Sequence, residues 1–182
     1  VEIARRIVGD NQVAFMLLDL NGFKAVNDTY GHGSGDQLLR EAALRLKDCG
    51  IPGAFVARLG GDEFVVMAPY RDERHARRLA DRVASIFDRD IAAVGHGLRI
   101  TASVGLALAP HHAHDILRCA DVAMYQAKAS PGRVVVYDPA TDPNTPERLR
   151  HLSDLRGAVA RDELVLHYQP VYDLQRERTA GV

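Results

Sequence analysis

Apolar and polar residues follow one another along the chain in blocks that predict both strands and helices. Residues 13–20, VAFMLLDL, form an apolar run that is interrupted only by Asp19, which is typical of a buried central strand. The glycine-rich stretch NDTYGHGSGD follows at 27–36 and predicts a loop. Asp19 is therefore expected at the end of a strand.

A helix is predicted after this loop. Apolar residues recur at the period of an α-helix from Leu38 to Leu46. Ser34, followed three residues later by Gln37, fits a capping box, and Gly50 ends the helix. The pattern thus indicates one amphipathic helix between the loop and the next apolar run.

A β-hairpin is predicted next. Residues 54–68 contain two short apolar runs, AFVARL and FVVMA, separated by the sequence Gly-Gly-Asp-Glu. This pattern favours a hairpin whose turn lies at Gly60 and Gly61. The carboxylates of Asp62 and Glu63 would then lie at the tip of the hairpin.

The next part of the chain predicts two more helices and two more strands. A helical stripe of apolar residues extends from 72 to about 91, and a second occupies 116–127. Residues 98–109, LRITASVGLALA, alternate as a strand does, and Gly105 within them suggests a bulge or a bend. VVVY at 134–137 predicts a last short strand.

The composition changes after the last predicted strand. Residues 139–148 are rich in proline and turn formers, which predicts a linker. The following residues have a helical pattern, and LVLHYQPVYDL begins a new strand at 164–174. We therefore expect one domain at 1–138 and the incomplete start of a second domain at 149–182.

Charge and cysteine content exclude several classes of protein. The 23 Lys and Arg residues nearly balance the 24 Asp and Glu residues, which argues against a nucleic acid partner. No apolar run approaches the roughly 18 residues that cross a bilayer, so no membrane segment is expected. Two cysteines, Cys49 and Cys119, make no disulfide framework and favour a reducing, cytoplasmic environment.

Two predicted turns carry carboxylates that could meet. Asp19 ends the first strand, and Asp62 and Glu63 lie at the hairpin tip. If these strands are neighbours in one sheet, their carboxylates share one edge, where hard oxygen ligands suit Mg²⁺. Such an ion assists phosphoryl transfer by neutralising charge. The residues alone leave open a second interpretation, in which Asp62 only completes a tight turn.

Four motifs together resemble the GGDEF family of diguanylate cyclases. They are DLNGFKAVNDTYGHGSGDQLL at 19–39, RLGGDEFVV at 58–66, TASVGLA at 101–107 and ADVAMYQAK at 120–128. Their order and spacing are those of the family, and the resemblance covers about 1–138. It implies an α+β fold in which an antiparallel sheet of about five strands is flanked by helices. This fold is similar to the palm of nucleotide cyclases and polymerases and has a ferredoxin-like core.

The resemblance also implies an activity. Members of the family condense two GTP molecules into cyclic di-GMP and two pyrophosphates, using Mg²⁺ or, in its place, Mn²⁺. Two protomers face each other, and the 3′-hydroxyl of each nucleotide attacks the α-phosphate of the other. A homodimer is therefore implied, because one chain carries only half of an active site.

The family motifs imply roles for individual residues. The implied metal ligands are Asp19, the backbone carbonyl of Leu20, Asp62 and Glu63, and Asp62 ranks ahead of Glu63 as the general base. The residues implied to bind GTP are Phe23 and Lys24 at the triphosphate, Asn27 and Asp36 at the guanine, His32 in the same loop, and Lys128 and Arg133 at the terminal phosphates. For His32, an ordinary surface histidine is the alternative.

The sequence departs from the family pattern in four places. Many members carry Asp at the position of Asn21, and Gly22 replaces a bulkier residue. Pro-Gly-Ala-Phe stands at 52–55, where the family has its Arg-x-x-Asp product-inhibition motif, which predicts no tight binding of cyclic di-GMP there. The spacing before Arg133 is altered. The usual N-terminal segment is expected to be missing.

The end of the chain adds a second resemblance. Residues 154–174, DLRGAVARDELVLHYQPVYDL, resemble the opening of an EAL phosphodiesterase domain, which would be the partner domain in the full-length protein. Two functions stay open: an active cyclase, or a catalytically weak GTP-binding module that regulates the adjacent phosphodiesterase. The intact Gly-Gly-Asp-Glu-Phe sequence at 60–64 favours the cyclase.

Overall fold

A computed structural model describes residues 12–88, 100–112, 114–130, 133–143, 150, 154–155, 157–158, 161–163 and 165–181. The chain divides into two compact units, Val1–Thr141 and Asp142–Val182. The strands of the first unit are β1 (Val13–Asn21), β2 (Phe55–Gly60), β3 (Glu63–Pro69), β4 (Thr101–Ala109) and β5 (Val134–Val136). Its helices are α1 (Phe23–Tyr30), α2 (His32–Lys47), α3 (Glu73–Ser85) and α4 (Ile116–Ala129). No helix in the described part of the chain is long and apolar enough to span a membrane.

The five strands of the first unit form one mixed sheet in the order β2-β3-β1-β4-β5. β1 is central and antiparallel to both β3 and β4, and β2 pairs antiparallel with β3. β5 runs parallel to β4, because α4 carries the chain back along the sheet between them. The predicted α+β fold is confirmed. The sheet differs from the purely antiparallel one that was predicted only in the parallel pairing of β5 with β4.

Helices cover both faces of the sheet, so β1 is buried from Val13 to Leu20, as its apolar run predicts. Ala14 and Met16 belong to the core that contains the side chains of α2 and α3, whereas Phe15 and Leu17 pack with α4. Side chains alternate along a strand. Asp19 therefore continues the row of Phe15 and Leu17 and lies on the α4 side of the sheet.

The predicted loop at 27–36 is largely helical. α1 ends at Tyr30 and α2 begins at His32, separated by Gly31, whose φ of 81° lies in the left-handed region. The predicted capping box is wrong, because the Ser34 hydroxyl donates to the Tyr30 carbonyl oxygen at 2.9 Å. Both helices bury apolar side chains in the core, which outweighs the low helix propensity of glycine.

The predicted bulge at Gly105 is also wrong. β4 keeps a regular one-to-one register with β1 from Thr101 to Ala109. A Cβ added to Gly105 would lie 2.0 Å from the carbonyl oxygen of Ala120 and 2.3 Å from the nitrogen of Met124. Glycine is required here because α4 packs directly against the backbone of β4.

The remaining predicted elements agree with the structure where it describes them. The Asp72 carboxylate caps α3 by accepting a hydrogen bond from the His75 N–H at 2.7 Å. The hairpin turn consists of Gly61 and Asp62, one residue later than predicted. Residues 89–99 lie outside the described residues, and they include the end of the helix predicted from 72 to about 91 and the start of the strand predicted at 98–109. Residues 144–149, which include part of the predicted linker, also lie outside them.

The second unit contains one antiparallel hairpin of β6 (Val171–Asp173) and β7 (Arg178–Gly181). Among the described residues 165–174 of the predicted strand, 171–173 form a strand. Several large apolar side chains of this segment are exposed: Val165, Leu166, Tyr168, Tyr172 and Leu174. The predicted domain boundaries stay a prediction.

Candidate active site

Two carboxylates lie opposite each other on neighbouring strands. Asp19 of β1 and Glu63 of β3 are register partners in the antiparallel pair. Cβ atoms of such partners lie about 4.5–5.5 Å apart, and two like charges at this separation destabilise a sheet. Asp19 is only 8% exposed, and Glu63 is half-buried. The arrangement therefore favours a positive charge beside this pair.

The turn that carries the second acidic residue is fixed by main-chain contacts. The N–H of Leu20 donates to the carbonyl oxygen of Asp62 at 3.3 Å, which ties the turn to β1. The guanidinium of Arg58 donates twice to the carbonyl oxygen of Gly61, at 3.0 and 2.8 Å. Within the described residues, the carboxylates of Asp62 and Glu63 make no hydrogen bond or ion pair, so both are available to a ligand.

A lysine from the opposite layer meets the buried carboxylate. Lys128, in the last turn of α4, places its Nζ 2.7 Å from Oδ2 of Asp19. α4 crosses the face of the sheet on which Asp19 lies, and glycine at position 105 lets it approach closely. The structure thus brings together Asp19, Glu63 and Lys128, three residues that the sequence assigned to one site.

Polar side chains of β4 complete this end of the sheet. The amide Nδ2 of Asn21 donates to Oγ1 of Thr101 at 2.9 Å, and Oγ of Ser103 donates to Oδ1 of Asn21 at 3.0 Å. Ser103 is 2% exposed and is the register partner of Asp19 on β4. Sequence reasoning did not single out Thr101 or Ser103. The available signal was a serine within the otherwise apolar run of β4.

Two of the residues implied to bind GTP lie together on α1. Phe23 packs against the core, and the half-buried Asn27 follows one helical turn later. A Cβ added to Gly35 would lie 1.9 Å from Oδ1 of Asn27 and 3.3 Å from the ring of Phe23. The Asn27 side chain therefore rests on the backbone of α2, next to the exposed Asp36.

The other implied site residues are not joined to this group by contacts. Lys24 and His32 are exposed and, within the described residues, make no side-chain hydrogen bond or ion pair. Arg133 pairs instead with Asp88, which follows α3. In the described part of the chain, no three His, Cys, Asp or Glu side chains converge as ligands of one metal ion. The acidic residues therefore form a cross-strand pair with Asp62 in the adjacent turn.

The family model of the diguanylate cyclase GGDEF domain matches residues 2–133. The chain belongs to the GGDEF family. It is 41% identical over 173 residues to the bifunctional diguanylate cyclase/cyclic di-GMP phosphodiesterase MucR of Pseudomonas aeruginosa, covering 92% of this chain and 25% of MucR. It is 39% identical over 165 residues to the cyclic di-GMP phosphodiesterase PdeR of Escherichia coli, covering 88% of this chain and 25% of PdeR. The chain thus spans about a quarter of the length of these relatives.

Solved GGDEF structures share the fold of the first unit. The GGDEF domain of YfiN (TpbB) from Pseudomonas aeruginosa superposes with a TM-score of 0.71 at 30% identity, covering 84% of this chain and 90% of that chain. The GGDEF domain of DgcB from Caulobacter crescentus, solved in complex with c-di-GMP, gives a TM-score of 0.64 at 27% identity, covering 74% and 82%. These likenesses agree with the palm-like fold that the sequence motifs imply.

Proposed function

We propose that this GGDEF domain is a diguanylate cyclase that joins two GTP molecules into cyclic di-GMP and releases two pyrophosphates. The observation that carries the proposal is the pairing of Asp19 with Glu63 across β1 and β3, beside the intact Gly-Gly-Asp-Glu-Phe turn and within reach of Lys128. Carboxylates and an ammonium group arranged in this way suit the binding of a nucleoside triphosphate together with its divalent cation.

The acidic residues fit a divalent cation. Asp19 and Glu63 offer hard oxygen ligands from adjacent strands, and Asp62 and the Leu20 carbonyl lie next to them along the chain. Mg²⁺, or Mn²⁺ in its place, would supply neutralisation of the phosphate charge when bound. The site then needs few basic residues, which agrees with the nearly neutral composition of the chain.

The remaining site residues other than His32 have roles that suit their chemistry. Lys128 would bind phosphate oxygens through its ammonium group, and Lys24 with the backbone near Phe23 would bind the triphosphate. The Asp36 carboxylate would accept hydrogen bonds from N1–H and the amino group of guanine, and the Asn27 amide would bind another edge of the base. The pairing of Arg133 with Asp88 leaves Arg133 the weakest of these assignments.

A carboxylate would act as the general base. It would take the proton of the 3′-hydroxyl as that oxygen bonds to the α-phosphorus of the facing GTP and the bond to pyrophosphate breaks. The family motif ranks Asp62 first for this role, and the register of Glu63 with Asp19 keeps Glu63 as the second candidate. Two protomers are needed, since each binds one nucleotide.

The test is the formation of cyclic di-GMP from GTP and Mg²⁺, measured by chromatography. We expect the rate to rise more than linearly with protein concentration, because the active species is a dimer. Glu63→Gln and Asp19→Asn should lower the rate at least 100-fold, on the order expected for loss of a general base. Glu73→Gln, at an exposed acid of α3, is the matched control and should leave the rate unchanged.

The absence of product at high protein concentration, with GTP still bound, would overturn the cyclase proposal. It would favour the second candidate, a GTP-binding module that regulates a phosphodiesterase. The name of PdeR, a phosphodiesterase that is 39% identical to this chain, supports keeping this alternative.

The second unit is the basis for proposing a partner domain. We infer that residues 149–182 are the start of an EAL domain, because residues 154–174 resemble the opening of such a domain. Val165, Leu166 and Tyr168 are more than 70% exposed, which suits a segment that packs against further chain. MucR and PdeR, which are about four times as long as the matched region, also support this inference. The thiols of Cys49 and Cys119 are buried and in the reduced form, which agrees with a cytoplasmic location.

A further inference from the structure

A side-chain network joins β1 to β4 at the end of the sheet that carries the carboxylates. Asn21 uses its amide NH₂ to reach Thr101 and its amide oxygen to accept from Ser103. Both partners lie on β4, about 80 residues away in sequence: the separations are 80 and 82 residues. These bonds supplement the backbone ladder where it ends, since Asn21 and Thr101 are the terminal register partners of the pair.

The network borders Asp19 on two sides. Asn21 lies two residues further along β1 and on the same face, and Ser103 is the β4 neighbour of Asp19. Glu63 adjoins Asp19 from β3, and Lys128 from α4. Any displacement of the end of β1 would therefore move Asp19 relative to both of its charged neighbours.

The amide group has a second consequence, which is electrostatic. An aspartate at position 21 could accept from both hydroxyls, with the direction of the bond to Thr101 reversed, but it would add a negative charge about 7 Å from Asp19, two residues along the strand. Asparagine provides the bonds without that charge. The site then contains three carboxylates, those of Asp19, Asp62 and Glu63, and one ammonium group, that of Lys128. An aspartate at position 21 would add a fourth carboxylate.

We propose that Asn21, held by Thr101 and Ser103, is a positioning residue that fixes Asp19 for binding a divalent cation and, as an amide, limits the affinity of that site. The consequence for catalysis rests on the proposed cyclase function, but cation binding can be measured without turnover. Groups that hold a metal ligand in place commonly affect metal affinity by about 10- to 100-fold.

The experiment measures binding of Mn²⁺ to the nucleotide-free chain by electron paramagnetic resonance of the unbound ion. Asn21→Leu removes both bonds and adds no charge, so it should weaken Mn²⁺ binding about tenfold or more. Ser103→Ala should weaken it in the same direction, and Ser103→Thr, which restores a hydroxyl, should recover it. Asn21→Asp should tighten binding about tenfold, since a unit charge at this distance acts at an effective dielectric between protein and water.

Gln12→Glu is the matched control for added charge. Gln12 is exposed and precedes the opposite end of β1, about 23 Å of strand away from Asp19. Its amide donates to the carbonyl oxygens of Tyr70 and Arg71, both at 3.0 Å, so the substitution costs two hydrogen bonds at that distant end and leaves the site itself untouched. This variant should bind Mn²⁺ as the unmodified chain does. Thermal unfolding of every variant, followed by circular dichroism, separates loss of the site from loss of the fold.

Wild-type affinity in both folded Asn21→Leu and folded Ser103→Ala would overturn the positioning role. Equal affinities of Asn21→Asp and Gln12→Glu would overturn the electrostatic role, and failure of the unmodified chain to bind Mn²⁺ would overturn both. If the Mn²⁺ affinities are as expected but no cyclic di-GMP forms, the result would contradict the proposed cyclase function and leave the role of Asn21 in place.

Discussion

The side chain of Asn27 can occupy its position only because residue 35 has no Cβ. The amide oxygen of Asn27 lies 1.9 Å from the place where a Cβ of residue 35 would be, and that residue is buried. We expect Gly35→Ala to displace Asn27 and to lower the affinity for GTP about tenfold, the effect of losing one hydrogen bond to the base. Isothermal titration with GTP measures this change.

Gly33→Ala is the control for the Gly35 variant. Gly33 lies in the same helix, and a Cβ added there meets nothing within 4 Å. It should keep the affinity for GTP and stabilise the helix by about 0.5–1 kcal/mol. Equal GTP affinities of the two variants would contradict the proposed role of Asn27 at the base.

At the scale of single elements, hydrophobic periodicity predicted the helices and strands correctly where the residues that define the pattern are buried. β1 and α4 lie where the apolar pattern places them, because each buries the residues that define the pattern. The pattern failed between 27 and 36, where glycine and polar residues occupy helices that the core stabilises. It also could not give the reason for Gly105, which depends on α4 packing against β4.

The segment between β4 and α4 gives an expected dependence of stability on pH. The ring of His112 stacks edge-on against that of Tyr137, with centroids 4.9 Å apart. Burial, together with the positive charges of His111 and Arg118, lowers the pKa of His112 below its ordinary value. The folded protein thus binds a proton less readily than the unfolded chain, and this contribution to stability is lost as pH falls from about 7 through the lowered pKa.

Urea unfolding at pH 7.5 and pH 5.5 measures this dependence. The free energy of unfolding should fall less between these two pH values in His112→Asn than in the unmodified chain. His111→Asn, at the exposed neighbouring histidine, should retain most of the loss. If both variants lose as much stability on acidification as the unmodified chain, His112 does not contribute to the dependence.

At the scale of the whole molecule, the candidate site is assembled from segments that are far apart in sequence. Recognition of four motifs assigned Asp19, Glu63 and Lys128 to one site, and the sheet order explains how β1 and β3 bring the first two together. The bonds of Asn21 to β4 could not be predicted in the same way, because they depend on the register of two strands. The partner of Arg133 likewise depends on where α3 ends relative to β5.

The turn before β2 gives the last expectation, which concerns control by product. Pro52 and Gly53 are exposed there, and Phe55 packs with the core on the α4 side, so the segment offers neither the arginine nor the aspartate of the product-inhibition motif. Each hydrogen bond to a charged group that is lost removes about 1.5–3 kcal/mol of binding. We therefore expect calorimetric titration with cyclic di-GMP to show binding no tighter than about 100 µM.

Because the product-inhibition motif is absent from 52–55, we also expect that accumulating cyclic di-GMP does not slow the proposed cyclase. Progress curves should then be unchanged by added cyclic di-GMP at concentrations of about 10 µM, well below that dissociation constant. Micromolar binding that is lost in Pro52→Ala would show that this turn holds the product by other groups. Micromolar binding that survives Pro52→Ala would place a product site elsewhere on the molecule, and either result would contradict the expectation of weak affinity.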